Sequence, residues 1–167
     1  MNKKVDRNYL EIQSINDLIG SENPSNEFII ELVNPPDFQL NKFFYKNVGK
    51  KHHWVDRLVW TDKQWTDYID NKKVKTFVLK KMNDLVGYYE LILHLDQNET
   101  EIAYFGILEE YQNQKLGSFL LTSAIKNSFS FNPNRVWVHT CSLDHKNALK
   151  NYISRGMKIF KKETIKI

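Results

Sequence analysis

The turn between positions 109 and 115 is where residue type and spacing first suggest chemistry. Before it, residues 101 to 108 (EIAYFGIL) carry the apolar, β-branched and aromatic run of a strand covered on both faces. After it, Leu116, Phe119, Leu120, Ala124 and Phe129 keep to one broad helical face. A strand that feeds a helix through a tight turn aims the helix's unpaired N–H groups beyond the strand's end, where they favour an anion such as phosphate. Glu90, set between Tyr89 and Leu91, is a candidate general base, because desolvation raises a carboxyl's proton affinity. Cys141 and His139 share one face of a strand by alternation, but a lone thiol is more often a packing residue than a nucleophile. In KKHHWVDRLVW, Lys50 to Trp60, three of the four tryptophans (Trp54, Trp60 and Trp65) begin to cluster within twelve residues. They either line a pocket that holds a small cationic amine by face contact, with Asp56 or Arg57 fixing its orientation, or cement two short helices to a sheet.

The elements that must position these groups follow from pattern. Tyr9 to Ile12 and, more convincingly, Glu27 to Val33 read as short strands, with residues 1–25 as an irregular N-terminal extension. Pro35-Pro36 stops the second strand and opens a helix carrying Leu40, Phe43, Phe44 and Val48. Thr61-Asp62-Lys63-Gln64 fits a capping box before Trp65, Tyr68 and Ile69. Val74 to Lys80, Leu85 to His94 and the strand that begins near Glu101 form an antiparallel meander. Arg135 to Cys141 is a further strand, a helix after Asp144 ends at Gly156, and Lys158 to Lys166 is the last strand.

Length and composition bound the possibilities. A chain of 167 residues is one domain's worth. The 20 Lys against 4 Arg at a net charge of +4 imply mild attraction to anions, and the scarcity of Arg argues against a nucleic-acid partner. One cysteine allows no internal disulfide, and no apolar run approaches a membrane span or a signal-peptide core, so a cytoplasmic location is expected. The histidines show no metal-ligand spacing, and no metal is expected.

Two segments resemble the GNAT superfamily of N-acetyltransferases. Gln112-Asn113-Gln114-Lys115-Leu116-Gly117 is similar to its Q/R-x-x-G-x-G/A signature, with Lys115 standing where the first glycine is usual. Asp144 to Met157 resembles a later motif through Ala148, Tyr152, Gly156 and Met157, with His145 in place of a frequent Asn. The resemblance covers roughly residues 73 to 167 and implies a single α/β (α+β) domain over 1–167: a central mixed, mostly antiparallel sheet flanked by about four helices.

What the resemblance implies about the site is more specific. The donor would be acetyl-CoA, its pyrophosphate cradled by Gln112, Asn113, Gln114, Lys115, Leu116, Gly117 and Ser118, with His145 nearby. Backbone at Ile107 and Leu108 would meet the pantetheine arm and the oxyanion. Tyr152 would be the general acid, and Glu101, eleven residues before Gln112, the general base, with Glu90 its rival. Trp54, Arg57 and Glu90 would face the acceptor, a small-molecule amine; a protein acceptor, a catalytically silent CoA-binding domain and a homodimer remain open alternatives. A left-handed backbone at Lys115 would cost about 1 kcal/mol and weaken the donor site. A helical one would let its N–H serve as glycine's does, and this second case is the expectation.

Overall fold

A computed structural model describes residues 3–167, so Met1 and Asn2, where the sequence reading of the N-terminal extension begins, lie outside the described residues. Seven strands, β1 (Lys4–Ile12), β2 (Phe28–Leu32), β3 (Val74–Lys81), β4 (Asp84–His94), β5 (Glu99–Ile107), β6 (Arg135–Cys141) and β7 (Lys158–Lys166), form one sheet in the order β2-β3-β4-β5-β6-β1-β7. Four α-helices flank it among the described residues: α1 (Phe38–Gly49), α2 (Asp62–Ile69), α3 (Leu116–Phe129) and α4 (Ala148–Ser154). All pairings are antiparallel except β5 with β6, which is parallel.

Alternation divides the core into two layers. Tyr89, Leu91, Ile102 and Ile107 point to the face where Leu116, Leu120, Leu121, Ala124 and Ile125 of α3 bury themselves. Tyr88, Val78 and Leu108 point the other way, onto Phe44 and Val48 of α1. The Phe44 and Tyr88 rings stack 4.8 Å apart. Gly106 lets α1 close on β5, since a Cβ there would stand 2.2 Å from Val48 Cγ1. The Thr61–Gln64 capping box forms in both directions, as its residue pattern requires. Asp37 caps α1, accepting from Gln39 N–H, so the helix starts just past the two prolines. Gly156, at φ 103°, ends α4 with its N–H on Ile153 O.

The N-terminal segment departs from the sequence reading. The strand read at Tyr9 to Ile12 starts earlier, and residues 4 to 12 are not part of an irregular extension; they form β1, inserted between β6 and β7, with Arg7 opposite Cys141 on one side and Glu163 on the other. Val5, Leu10 and Ile12 are buried by it.

Candidate active site

The site is opened by a failure of pairing. β5 and β6 share a ladder only over Glu99–Arg135, Thr100–Val136 and Glu101–Trp137, then diverge. A bulge sits at the same place: Tyr104 opposes Glu90 and Ile102 opposes Leu91, which leaves Ala103 unmatched. A cavity of about 760 Å3 fills the gap and is lined by β5, β6, α3, α4, β1 and the segment before α2. Leu108 N–H donates to Val86 O. By the two-residue alternation of an antiparallel ladder, Gly106 bonds the same way, so the amides of Ile107 and Phe105 face the gap. Ile107 therefore directs its amide toward the cleft, whereas Leu108 does not: its amide is engaged and its side chain lies in the α1 core.

At the wide end of the cleft the turn before α3 presents a run of donors. Asn113 and Gln114 donate to no backbone acceptor among the described residues, and Leu116, Gly117 and Ser118 are the first helical amides, which have no preceding turn to bond. Lys115, the N-cap, makes no side-chain cap bond. Gly117 needs no glycine for packing, since a Cβ there would meet only Asn151 Nδ2 at 3.7 Å. What such a Cβ would fill is the space over the donors. Free amides, a helix N-terminus and the Lys115 ammonium suit a diphosphate. Gln112, Asn113, Lys115, Leu116, Gly117, Ser118 and His145 line the cavity; Gln114 is outside its wall.

The expectation that position 115 is helical is overturned. Lys115 has φ 63° and Asn113 φ 64°, both left-handed. Asn tolerates that region through its short polar side chain, whereas Lys has no such help. Lys115→Gly is therefore expected to stabilise the fold by about 1 kcal/mol, read from the midpoint of urea unfolding. A loss of stability would mean that the lysine side chain holds the turn.

Tyr152 and Glu101 face each other's cleft from opposite sides. Tyr152, on α4, is buried and lines the cavity beside the Phe105 ring. Burial and the nearby Asp144 charge push its phenol well above the usual range, so it stays protonated at neutral pH. Glu101, at the last paired rung of β5, lines the cavity with 13% of its side chain exposed and bonds His94 Nε2 at 2.9 Å. His94 in turn stacks on Trp137.

Glu90 is elsewhere. It is fully buried and does not line the cavity. Its Oε1 accepts from Arg57 Nη1 at 3.1 Å and Tyr68 OH at 2.8 Å, and its Oε2 from Asn41 Nδ2 at 2.9 Å. A carboxylate held by three donors is a structural anion, so neither the rival base nor the acceptor contact expected of Glu90 is found. The aromatic cluster has the same explanation. The Arg57 guanidinium lies 4.1 Å from the Tyr104 ring centroid, 4.2 Å from Tyr68 and 4.7 Å from Trp60, with Trp65 and Tyr45 just beyond. The box expected to hold a cationic amine already holds the chain's own Arg57. Burial alone would lower the proton affinity of that guanidinium; the adjoining Glu90 carboxylate, with Tyr68 and Tyr104, more than reverses it. Arg57 and Trp54 still form part of the cavity wall, as does Tyr104, whose phenol burial pushes up to about 12.

Several wall residues were not anticipated. Asp144 ties the end of β6, accepting from the Thr140 hydroxyl and from Cys141 N–H at 3.0 Å. Burial raises the Cys141 thiol's proton affinity, which disfavours its thiolate. His52 faces His145 across 6.0 Å. Val5 and Arg7 reach the cavity from β1. Among the described residues no cluster of His, Cys, Asp or Glu is arranged to hold a metal ion, and no helix is long and apolar enough to cross a membrane.

Known proteins give this geometry a family. The chain superposes on a GCN5-related N-acetyltransferase from Sphaerobacter thermophilus with TM-score 0.75 at 12% identity, over 99% of this chain and 53% of that one. It superposes on a GCN5-related N-acetyltransferase from Kribbella flavida with TM-score 0.66 at 14% identity, over 96% of this chain and 56% of that one. For an aminoglycoside acetyltransferase from an uncultured soil metagenomic sample the values are 0.66 and 16%, over 80% and 90% of the two chains. The chain thus spans little more than half the length of the first two. At these identities the likeness is one of fold. Among curated proteins none matches the chain. The sequence profile described as Acetyltransferase (GNAT) family matches residues 38–157, from the start of α1 to the end of the α4 cap, and a match over most of the chain makes it a member of that family, whose acyl donor is acetyl-CoA.

Proposed function

We propose that this chain is an N-acetyltransferase that moves the acetyl group of acetyl-CoA to a primary amine on a small molecule by direct attack. The observation that carries the reading is the run of free amides from Asn113 to Ser118, set at the mouth of a cleft whose walls hold Glu101 and Tyr152. Acetyl-CoA supplies an activated thioester carbonyl. The chain's own groups do the rest: the turn amides bind the diphosphate, and the outward N–H groups of β5 orient the carbonyl oxygen as charge develops on it. Glu101 takes a proton from the acceptor's ammonium so that the free amine attacks the carbonyl; as the C–S bond breaks, Tyr152 gives a proton to the departing sulfur and regains the one that the new amide nitrogen sheds. The cytoplasm, where acetyl-CoA is made available to soluble enzymes, is the proposed location.

Thermal unfolding with and without acetyl-CoA, using dephospho-CoA as control, is the test. Ligand at a hundredfold excess over its dissociation constant adds about 2.7 kcal/mol of stability, an easily resolved shift. Release of free thiol then identifies acceptors. A flat response at millimolar acetyl-CoA would remove the reading. One observation favours a second one, a CoA-fold domain without activity: the Lys115 side chain occupies a left-handed turn position where glycine is usual, next to the proposed diphosphate. A shift with acetyl-CoA but no turnover on any amine would select that alternative.

A further inference from the structure

Arg7 has too few partners for its place in the cavity. It comes from β1, outside the stretch that matches the family, and it lines the cleft together with Val5. A guanidinium brings five N–H donors in a rigid fork. Here only Nη1 is used, at 3.5 Å from both Tyr9 OH and Glu163 Oε1, which is long for a charged bond. Glu163 is better served by Tyr9 OH at 2.6 Å. Arg7 Nε is buried and has no hydrogen-bond partner in the protein. The side chain as a whole is 29% exposed and lines the cavity, so it is the remaining N–H donors of the fork that are open to a ligand.

The surroundings say where such a ligand would lie. Arg7 stands opposite Cys141 on β6, Tyr9 opposite His139, and Trp137 opposite Glu101. One face of three adjacent strands therefore carries Glu101, His139, Cys141 and Arg7, and all four line the cavity. Both the Arg7 and Glu101 charges act on the His139 ring between them, and burial together with Arg7 favours its neutral form. The carboxylates of this wall are engaged elsewhere: Glu101 by His94, Asp144 by Thr140 and the Cys141 amide, Glu163 by Tyr9. Across the cleft, Arg57 is neutralised by Glu90.

We propose that Arg7 is the anion-binding residue of the acceptor site, and that the acceptor is an amine carrying a carboxylate or phosphate on the same molecule. The assignment rests on the acetyltransferase reading and deepens it. The amine end meets Glu101, the anionic end meets the Arg7 fork, and neutral His139 lies beneath the span. Along β6 the rungs at Trp137, opposite Glu101, and Cys141, opposite Arg7, are four residues apart, roughly 13 Å at the rise of a strand. A polycation would instead set positive groups against Arg7.

The test compares matched acceptors by thiol release: α- and ω-amino acids, their carboxamides, and a phosphoester amine. Wild type is expected to favour the anionic member of a pair by about tenfold to hundredfold in kcat/KM, the worth of one charged hydrogen-bond pair. In Arg7→Gln the preference falls to within about threefold, with the KM for acetyl-CoA unchanged; Arg7→Lys retains part of it. The ratio is internal to each variant, so partial unfolding cancels. The carboxylate and phosphoester arms tell the two anions apart. A wild type that favours carboxamides, or a preference that survives Arg7→Gln, overturns the proposal. Thermal shifts with an N-acetyl amino acid and its amide, without donor, read the Arg7 site alone: a shift with the acid in wild type, absent in Arg7→Gln, supports it even where acetyl-CoA gives none, and equal responses to acid and amide overturn it while leaving the donor reading to its own test.

Discussion

Arg57→Met is expected to lower stability by about 3–5 kcal/mol, because it strands the Glu90 carboxylate in the core with only Tyr68 and Asn41 as donors. The loss has two sources: an uncompensated buried charge, and a guanidinium withdrawn from contact with Tyr104, Tyr68 and Trp60. They can be separated. Adding Glu90→Gln to Arg57→Met removes the stranded charge while leaving the emptied aromatic box, so the double variant should be more stable than Arg57→Met alone. Urea unfolding of the two variants measures this directly. A double variant no better than the single one would mean that aromatic packing, not charge, dominates the site. Either result bears on the acceptor, since a rearranged box would move Tyr104 and Trp54 in the cavity wall.

Tyr152→Phe is expected to lower kcat by about 10³ and to leave the KM for acetyl-CoA and the thermal midpoint nearly unchanged. The hydroxyl makes no hydrogen bond to the described residues, so nothing in the fold is broken by removing it, and the ring keeps its contact with Phe105. Its raised proton affinity keeps the donor form present throughout the neutral range. If its task is to protonate the departing sulfur, the defect should shrink with an acyl donor whose thiol is more acidic and leaves unaided. A defect independent of the leaving group would place Tyr152 in binding rather than proton transfer.

The parts of the fold that the sequence made legible include elements with a buried face and one strand, β7, with none. The strand Arg135–Cys141, the last strand Lys158–Lys166 and the switch of period at Leu116 stand where residue pattern puts them. The first half of β1, before the strand read at Tyr9 to Ile12, escaped for a physical reason. Its buried Val5 faces the cavity while Leu10 and Ile12 face α3, so the apolar positions change parity midway and no alternation survives over the nine residues. The aromatic box was visible as composition, but its occupant was not, because the segment from Lys50 to Trp60 has no period that would aim Arg57 inward. Lys115 shows the opposite error. Residue type argued for a helical backbone there, and the turn's geometry prevailed over the preference of its side chain.

The place of β1 also sets an order of assembly. Its Tyr9 bonds Glu163, 154 positions further along the chain, and both of its ladders are made with strands from the C-terminal third. During synthesis this strand emerges early and then waits, with two unpaired edges, until β6 and β7 have left the ribosome. The acceptor wall takes shape only after these distant parts of the chain have met, so translation that stops short of β7 yields a product with an open edge at β1 and an incomplete acceptor wall. In this protein, pairing β1 and finishing the acceptor wall are one event.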